Sequence, residues 1–149
     1  MNLRMHEFGI AQSAVDYALS EADRMGARGV SRLRLSVGEI AQVDTRALAG
    51  ALRVLMEGPR LKGCRVSVRI EKASFVCRKC TTKWAMKEAL EQLNGTPSSL
   101  MIKEPDGKEL PLHFLPSLYQ TFVHCPKCGS ADVATTGGEG IKVKEIVLR

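Results

Sequence analysis

Aromatic residues are scarce in this chain. Four Phe, two Tyr and one Trp make up 5% of its 149 residues, which is thin for a surface that stacks on nucleobases, although the formal charge is +6 and the pI about 9.2. No apolar run approaches the ~20 residues of a membrane-spanning helix. No secretory signal is recognisable either, so a soluble, cytoplasmic protein with reduced thiols is expected. Catalytic constellations are missing as well: there is no phosphate-binding loop, no Ser-His-Asp set and no visible pair of carboxylates for acid–base work. Nothing repeats and nothing is of low complexity. An apolar content of 44% supports a real core, and the length allows one ordinary domain or two small ones. These absences favour a carrier or binding protein over an enzyme.

What is present is cysteine in a pattern. Cys77-Arg78-Lys79-Cys80 and Cys125-Pro126-Lys127-Cys128 are two Cys-x-x-Cys pairs. Two intervening residues let one tight turn aim both sulfurs at a point, and a second such turn completes a tetrahedral S4 site suited to zinc, or more rarely iron. Gly129 follows the second pair where a knuckle tolerates positive φ, whereas Thr81 takes that place after the first and makes a less ideal turn. A thioredoxin-like redox pair needs its Cys-x-x-Cys to open a helix after a strand, and neither pair sits that way. Four thiolates with one Zn2+ would lower the net charge to about +4. The neighbouring Arg78, Lys79, Lys83 and Lys127 offset that local negative charge, a duller account of the basic residues than nucleic-acid binding and the preferred one.

The remainder reads as a small α+β fold: a sheet of about three strands covered by two helices, with an inserted zinc-ribbon-like module. Helical spacing runs from His6 to Arg24, through Phe8, Ala11, Val15, Ala18, Leu19, Ala22 and Met25, with Gly26 as C-cap. Arg32–Val37 alternates as a half-buried strand. Asp44 is placed to N-cap a second helix whose stripe is Leu48, Leu52 and Leu55, ended by Gly58-Pro59. Cys64, Val66, Val68 and Ile70 alternate as a second strand, with the fifth cysteine expected as a small core residue. Strand–helix–strand of this length predicts a parallel crossover. A last strand, Ile141–Leu148, follows Gly137-Gly138-Glu139-Gly140, and its change of phase at Lys144-Glu145 predicts a bulge or bend. Residues 1–73 with 137–149 are therefore expected as one domain and 74–136 as the zinc-binding module. Within that module a short helix is expected over Lys83–Leu93, a loop over Thr96–Pro111, and an apolar stretch interrupted by Pro116.

The ordered set of Met5-His6-Glu7, amphipathic helix, strand, Val37-Gly38-Glu39, helix, strand and two Cys-x-x-Cys pairs resembles the HypA/HybF family of nickel metallochaperones. The resemblance runs from Met5 to the C-terminus. It includes Trp84, Cys125-Pro126-Lys127-Cys128-Gly129-Ser130 and the glycine-rich lead into Ile141, and the segment around Leu112-His113-Phe114-Leu115-Pro116 looks archaeal in type. It implies structural zinc at Cys77, Cys80, Cys125 and Cys128, and nickel cargo at Met5, His6 and Glu7. His113 would be a further nickel ligand, and Asp44 an acidic neighbour that orients the site. It also implies a HypB-type GTPase and the large subunit of NiFe-hydrogenase as partners, with urease a second target in some organisms. A homodimer stays open beside the monomer.

In the family the metal is held by the terminal amine, the next backbone nitrogens and the histidine. Here the motif begins at residue 5, and an amine at Met1 cannot close a small chelate ring with His6. Either the working chain starts at Met5 or other groups such as His113 complete the site. His124 reads as a partly buried residue beside the zinc knuckle, or as a zinc ligand recruited when conditions change. Two rival readings are a zinc-ribbon nucleic-acid binder, which would lose affinity steeply with salt, and a rubredoxin-like iron protein, which would be coloured.

Overall fold

The N-terminal helix is built on alanine. In the computed structural model, which describes residues 5–95, 98–104, 107–109 and 119–149, α1 spans Met5–Arg24 and buries Ala11, Ala14, Ala18 and Ala22 together with Val15. Small side chains at this spacing let a helix approach its neighbours closely, and α1 packs on α2 (Thr45–Leu55). Gly26 closes α1 with φ +66, while the Ala27 amide returns to the Ala22 carbonyl at 2.8 Å, a left-handed helix stop that glycine adopts without strain. Met25, on the apolar phase of the sequence, is 61% exposed because this stop turns it outward.

Three strands form the first sheet in the order β2–β1–β8, with β1 Val30–Gly38, β2 Arg65–Glu71 and β8 Ile141–Leu148. The central strand carries the burial, through Val30, Leu33, Leu35 and Val37. Gly29 exchanges backbone bonds with Arg149 in both directions, and the Gly38 amide reaches the Gly140 carbonyl. These pairings run antiparallel with equal spacing at both ends, so the ladder gains no net residue. The expected phase change in β8 is present at Glu145–Ile146, both half-buried. It is matched by one in β1, where Val30 and Leu33 are buried three positions apart. The two slips accompany one another, which is how a one-to-one ladder survives.

By spatial clustering the chain forms two compact units. One comprises Met1–Ser36, Val43–Arg69 and Lys142–Arg149; the other comprises Val37–Gln42 and Ile70–Ile141. The segment Val37–Gln42 thus groups with the cysteine unit. Ile40 is fully buried in that unit's core, and the Glu39 carboxylate accepts from the Ala73 amide at 2.6 Å and from Lys72 at 3.4 Å. The Ile40 amide bonds the Gly138 carbonyl at 3.0 Å, and the Glu71 carboxylate accepts from the Gly138 amide at 3.2 Å. Gly138 has φ +82, and a Cβ there would lie 2.5 Å from the Ala73 Cβ. The glycine-rich lead into the last strand is therefore a packing requirement.

The cysteine unit holds a second sheet, β4–β3–β7, with β3 Ser74–Cys77, β4 Lys83–Ala85 and β7 Val133–Thr135, both pairings antiparallel. Helix α3 spans Met86–Asn94, three residues later than expected. Trp84 is instead paired across the ladder with Phe75, and stacks on it at 5.9 Å with an interplanar angle of 13°. Glu88 accepts from the Ala85 amide and so fixes the helix start. Tyr119, on the short α4 (Tyr119–Phe122), meets Phe75 edge-on at 6.0 Å. In place of the expected loop there is a short hairpin of β5 (Ile102–Glu104) and β6 (Gly107–Glu109). Much of the Pro116-interrupted stretch, with His113, lies outside the described residues.

Candidate metal centre

The two Cys-x-x-Cys turns share one backbone pattern. The Cys77 carbonyl accepts from the Thr81 amide at 2.8 Å, and the Cys125 carbonyl from Gly129 at 2.9 Å. The Cys77 amide reaches the Thr82 carbonyl and the Cys125 amide the Ser130 carbonyl, each at 2.9 Å. Thr81 (φ +65) and Gly129 (φ +73) both sit in the left-handed region. A threonine there is strained, and its hydroxyl bonds the Cys80 carbonyl at 2.6 Å. The less ideal first knuckle expected from the sequence is thus present and adopts the same fold as the second.

All four sulfurs lie within 4.8 Å of one another. Cys77 and Cys128 are 3.6 Å apart, and Cys80 and Cys125 3.5 Å. Around a tetrahedral zinc with bonds of about 2.3 Å, sulfur–sulfur separations are about 3.8 Å, so the donor set fits the ion. Backbone amides support the thiolates: Cys80 donates to Cys77 Sγ, and Lys127 and Cys128 both donate to Cys125 Sγ, each at 3.4 Å.

Charge is distributed unevenly among the sulfurs. The Thr82 hydroxyl, 3.1 Å from Cys80 Sγ, is the main influence that pulls the Cys80 thiol down to about 6. At Cys128 the Ser130 backbone amide favours the thiolate, but desolvation and the three neighbouring sulfurs outweigh it and push the thiol up to about 11. Four adjacent sulfurs cannot all ionise without a cation. Cys77 and Cys125 are buried, while Cys128 is exposed.

Two contributors escaped the sequence reading. One is the Thr82 hydroxyl. The other is Gln92 on α3, whose side-chain amide accepts from the His124 amide at 3.0 Å and donates to its carbonyl at 2.8 Å. Gln92 thereby holds the backbone entering the second knuckle and leaves His124 exposed rather than partly buried. Nothing in the order of residues signals a contact that spans 32 positions.

The second predicted site lies at the start of α1. Met5, His6 and Glu7 occupy its first turn, whose amides fall outside the helical i→i−4 ladder. His6 is half-buried, whereas Glu7 is fully buried. The Glu7 carboxylate accepts from the Asp44 amide at 3.2 Å, and Asp44 Oδ1 accepts from the Arg46 and Ala47 amides at 3.0 Å as the N-cap of α2. The structure therefore brings Glu7 and Asp44 together, and it uses the Glu7 side chain, which the sequence reading passed over in favour of its backbone. A carboxylate beside the first amides of a helix is favoured by the positive end of the helix dipole.

The family profile described as "Hydrogenase/urease nickel incorporation, metallochaperone, hypA" matches residues 5–148. The chain belongs to the HypA family. The match begins at Met5, which opens the Met-His-Glu motif. The hydrogenase maturation factor HypA of Thermococcus sibiricus is 32% identical over 142 residues, 95% of each chain. That of Methanopyrus kandleri is 30% identical over 145 residues, 97% of this chain and 93% of its own. The solution structure of the Ni metallochaperone HypA from Helicobacter pylori superposes with a TM-score of 0.54 at 17% identity, covering 97% of both chains, a likeness of fold. Among the described residues no helix is long and apolar enough to cross a membrane.

Proposed function

We propose that this HypA-family chain is a cytoplasmic nickel carrier without enzymatic activity. It binds Ni(II) at Met5, His6 and Glu7 and delivers it, with a HypB-type GTPase, to the large subunit of NiFe-hydrogenase. The observation that carries the reading is the first turn of α1, where the motif's amides and the half-buried His6 sit beside the Glu7–Asp44 contact. Terminal amine, adjacent amide and imidazole are nitrogen donors that form fused chelate rings and suit square-planar Ni(II). Copper binds such a set more tightly, so selectivity falls to metal supply and to partners. Glu7 anchors the turn, Asp44 orients it, and His113 is a candidate for a further ligand.

Cys77, Cys80, Cys125 and Cys128 would hold one structural zinc, which when bound ties the two knuckles together and neutralises their thiolates. A zinc-ribbon nucleic-acid role is disfavoured because in the cysteine unit Phe75, Trp84 and Tyr119 are all at most 7% exposed, so these three offer no stacking surface. The GTPase is assigned to the unit that carries α1, since ligand exchange requires the two metal sites to touch.

The amine is the decisive ligand. Chains beginning at Met1 and at Met5, each with and without His6→Ala, are to be titrated with nickel. The Met5 chain should give a yellow, diamagnetic complex and bind more tightly; the longer chain should give a pale, paramagnetic one. Equal affinity in both lengths would remove the amine from the site. Nickel binding that survives His6→Ala would overturn the site as a whole.

A further inference from the structure

Strand β2 is an edge with two unlike faces. Among the described residues it pairs with β1 alone, so one side of its backbone presents N–H and C=O groups with no ladder partner. Successive residues of a strand point to opposite faces. Val66 and Val68, both half-buried, face an apolar groove of about 530 Å3 that Ala49, Leu52 and Met56 line from α2. A space of that size is an opening, not a packing gap. Cys64 also faces this groove and not the core, contrary to the sequence expectation. Arg65, Ser67 and Arg69 are exposed on the opposite face.

The arginines of this sheet differ in what they meet. On β1, Arg32 and Arg34 share Glu145 of β8 at 3.7 and 3.6 Å. Among the described residues no carboxylate pairs with Arg65 or Arg69. These two charges guard the edge against a second copy of the chain. Antiparallel pairing of two β2 edges about Ser67 would set Arg65 opposite Arg69, and like charges directly across strands repel. The same charges favour a strand of opposite sign.

We propose that β2 takes an added strand from a partner protein, an extended segment that reads acidic–apolar–polar–apolar–acidic. Main-chain bonds to the open edge would give affinity, and alternate side chains specificity. Opposite Val66 and Val68, its two apolar residues would continue the covered face over the groove. Opposite Arg65 and Arg69, its two carboxylates would supply a favourable cross-strand partner at each position. The pattern is the same read from either end, so both strand directions put each residue type on the required face. No residue of this edge belongs to the His6–Glu7–Asp44 group, and the proposal does not depend on the nickel reading.

The test uses the full-length, zinc-loaded chain and a synthetic peptide carrying Glu-Val-Thr-Val-Glu between Gly-Ser flanks. It should bind saturably and shift the backbone NMR signals of Arg65, Val66, Ser67, Val68 and Arg69, with those of Ala49 and Met56 across the groove. A peptide with lysines for the glutamates should bind at least about tenfold more weakly, and so should Val-Glu-Thr-Glu-Val, which has nearly the same groups on exchanged faces. N-methylation of the valine amides, or else of the glutamate and threonine amides, should abolish binding in one of the two versions, since only alternate amides face β2. R65E/R69E, which alters exposed positions, should weaken the glutamate peptide about tenfold, or ~1.4 kcal/mol, and strengthen the lysine peptide, with zinc content and melting temperature unchanged. The proposal is overturned by equal binding of either comparator, by binding that survives both N-methylations, or by no binding at millimolar peptide. A concentration-dependent dimer that covers β2, or a single-stranded oligonucleotide that displaces the peptide from Arg65 and Arg69, would also overturn it.

Discussion

Glu7 is the residue whose surroundings say most about the N-terminal motif. A fully buried carboxylate that receives the Asp44 amide joins the start of α1 to the start of α2. Glu7→Ala should lower unfolding free energy by about 2 kcal/mol, because it leaves a cavity and an unmet amide. Glu7→Gln retains an acceptor and should cost less. Urea denaturation followed by circular dichroism checks both, and equal loss in the two variants would show that the hydrogen bond is not what matters. Asp44→Ala removes the α2 cap and should cost about 1 kcal/mol.

The two knuckles invite a paired comparison. Thr81 and Gly129 adopt the same left-handed conformation on equivalent turns, so their exchange has opposite signs. Thr81→Gly should stabilise the zinc-loaded chain by a few tenths of a kcal/mol up to about 1, tempered by loss of the Thr81 hydroxyl bond, and Gly129→Ala should destabilise it by a similar amount. Melting temperatures of the zinc-loaded variants decide this; a stabilised Gly129→Ala would sink the argument. Gly138→Ala should be worse than either, since its Cβ would meet backbone and side chain of Ala73 at 2.5–2.8 Å. A loss of several kcal/mol is expected, as for overpacking against atoms that cannot yield.

For the chain entire, metal and fold should be coupled in one unit and not in the other. Structural zinc supplies an apparent ~10–16 kcal/mol in small modules. A strong chelator, or Cys125→Ser, should therefore melt the unit around β3, β4 and β7 while the α1–α2 helices keep their circular dichroism. Amide exchange resolved by residue separates the two outcomes, and unchanged protection around Phe75 after zinc removal would refute the coupling. The thiols also set a pH dependence. Ligation needs four thiolates, and the Cys128 thiol is pushed up to about 11 while that of Cys80 is pulled down to about 6. Loading at neutral pH should thus release protons, and competition should strengthen as pH falls through about 6, where Cys80 also takes a proton. Zinc titrations in buffers of different ionisation enthalpy read that proton count directly.

Local pattern carried much of this protein. The Cys-x-x-Cys spacing, the alternation of Leu33, Leu35 and Val37, and the Asp44 cap each depend on residues within a few positions, so α1, α2, β1, β8 and the four-sulfur cluster were legible in the chain. Apart from the meeting of the two knuckles, which a tetrahedral four-sulfur site requires, contacts between distant residues were not. That Trp84 stands in a ladder with Phe75 and delays α3 to Met86, that Val37–Gln42 groups with the cysteine unit, and that Gln92 holds the His124 backbone were decided by tertiary packing. The same holds for Glu7. Its sequence position marks it only as polar at a helix start, yet burial against the Asp44 amide makes its side chain structural. Short-range preferences select elements because they act through a few bonds, whereas which buried polar group finds which partner is settled only when distant segments exclude water together.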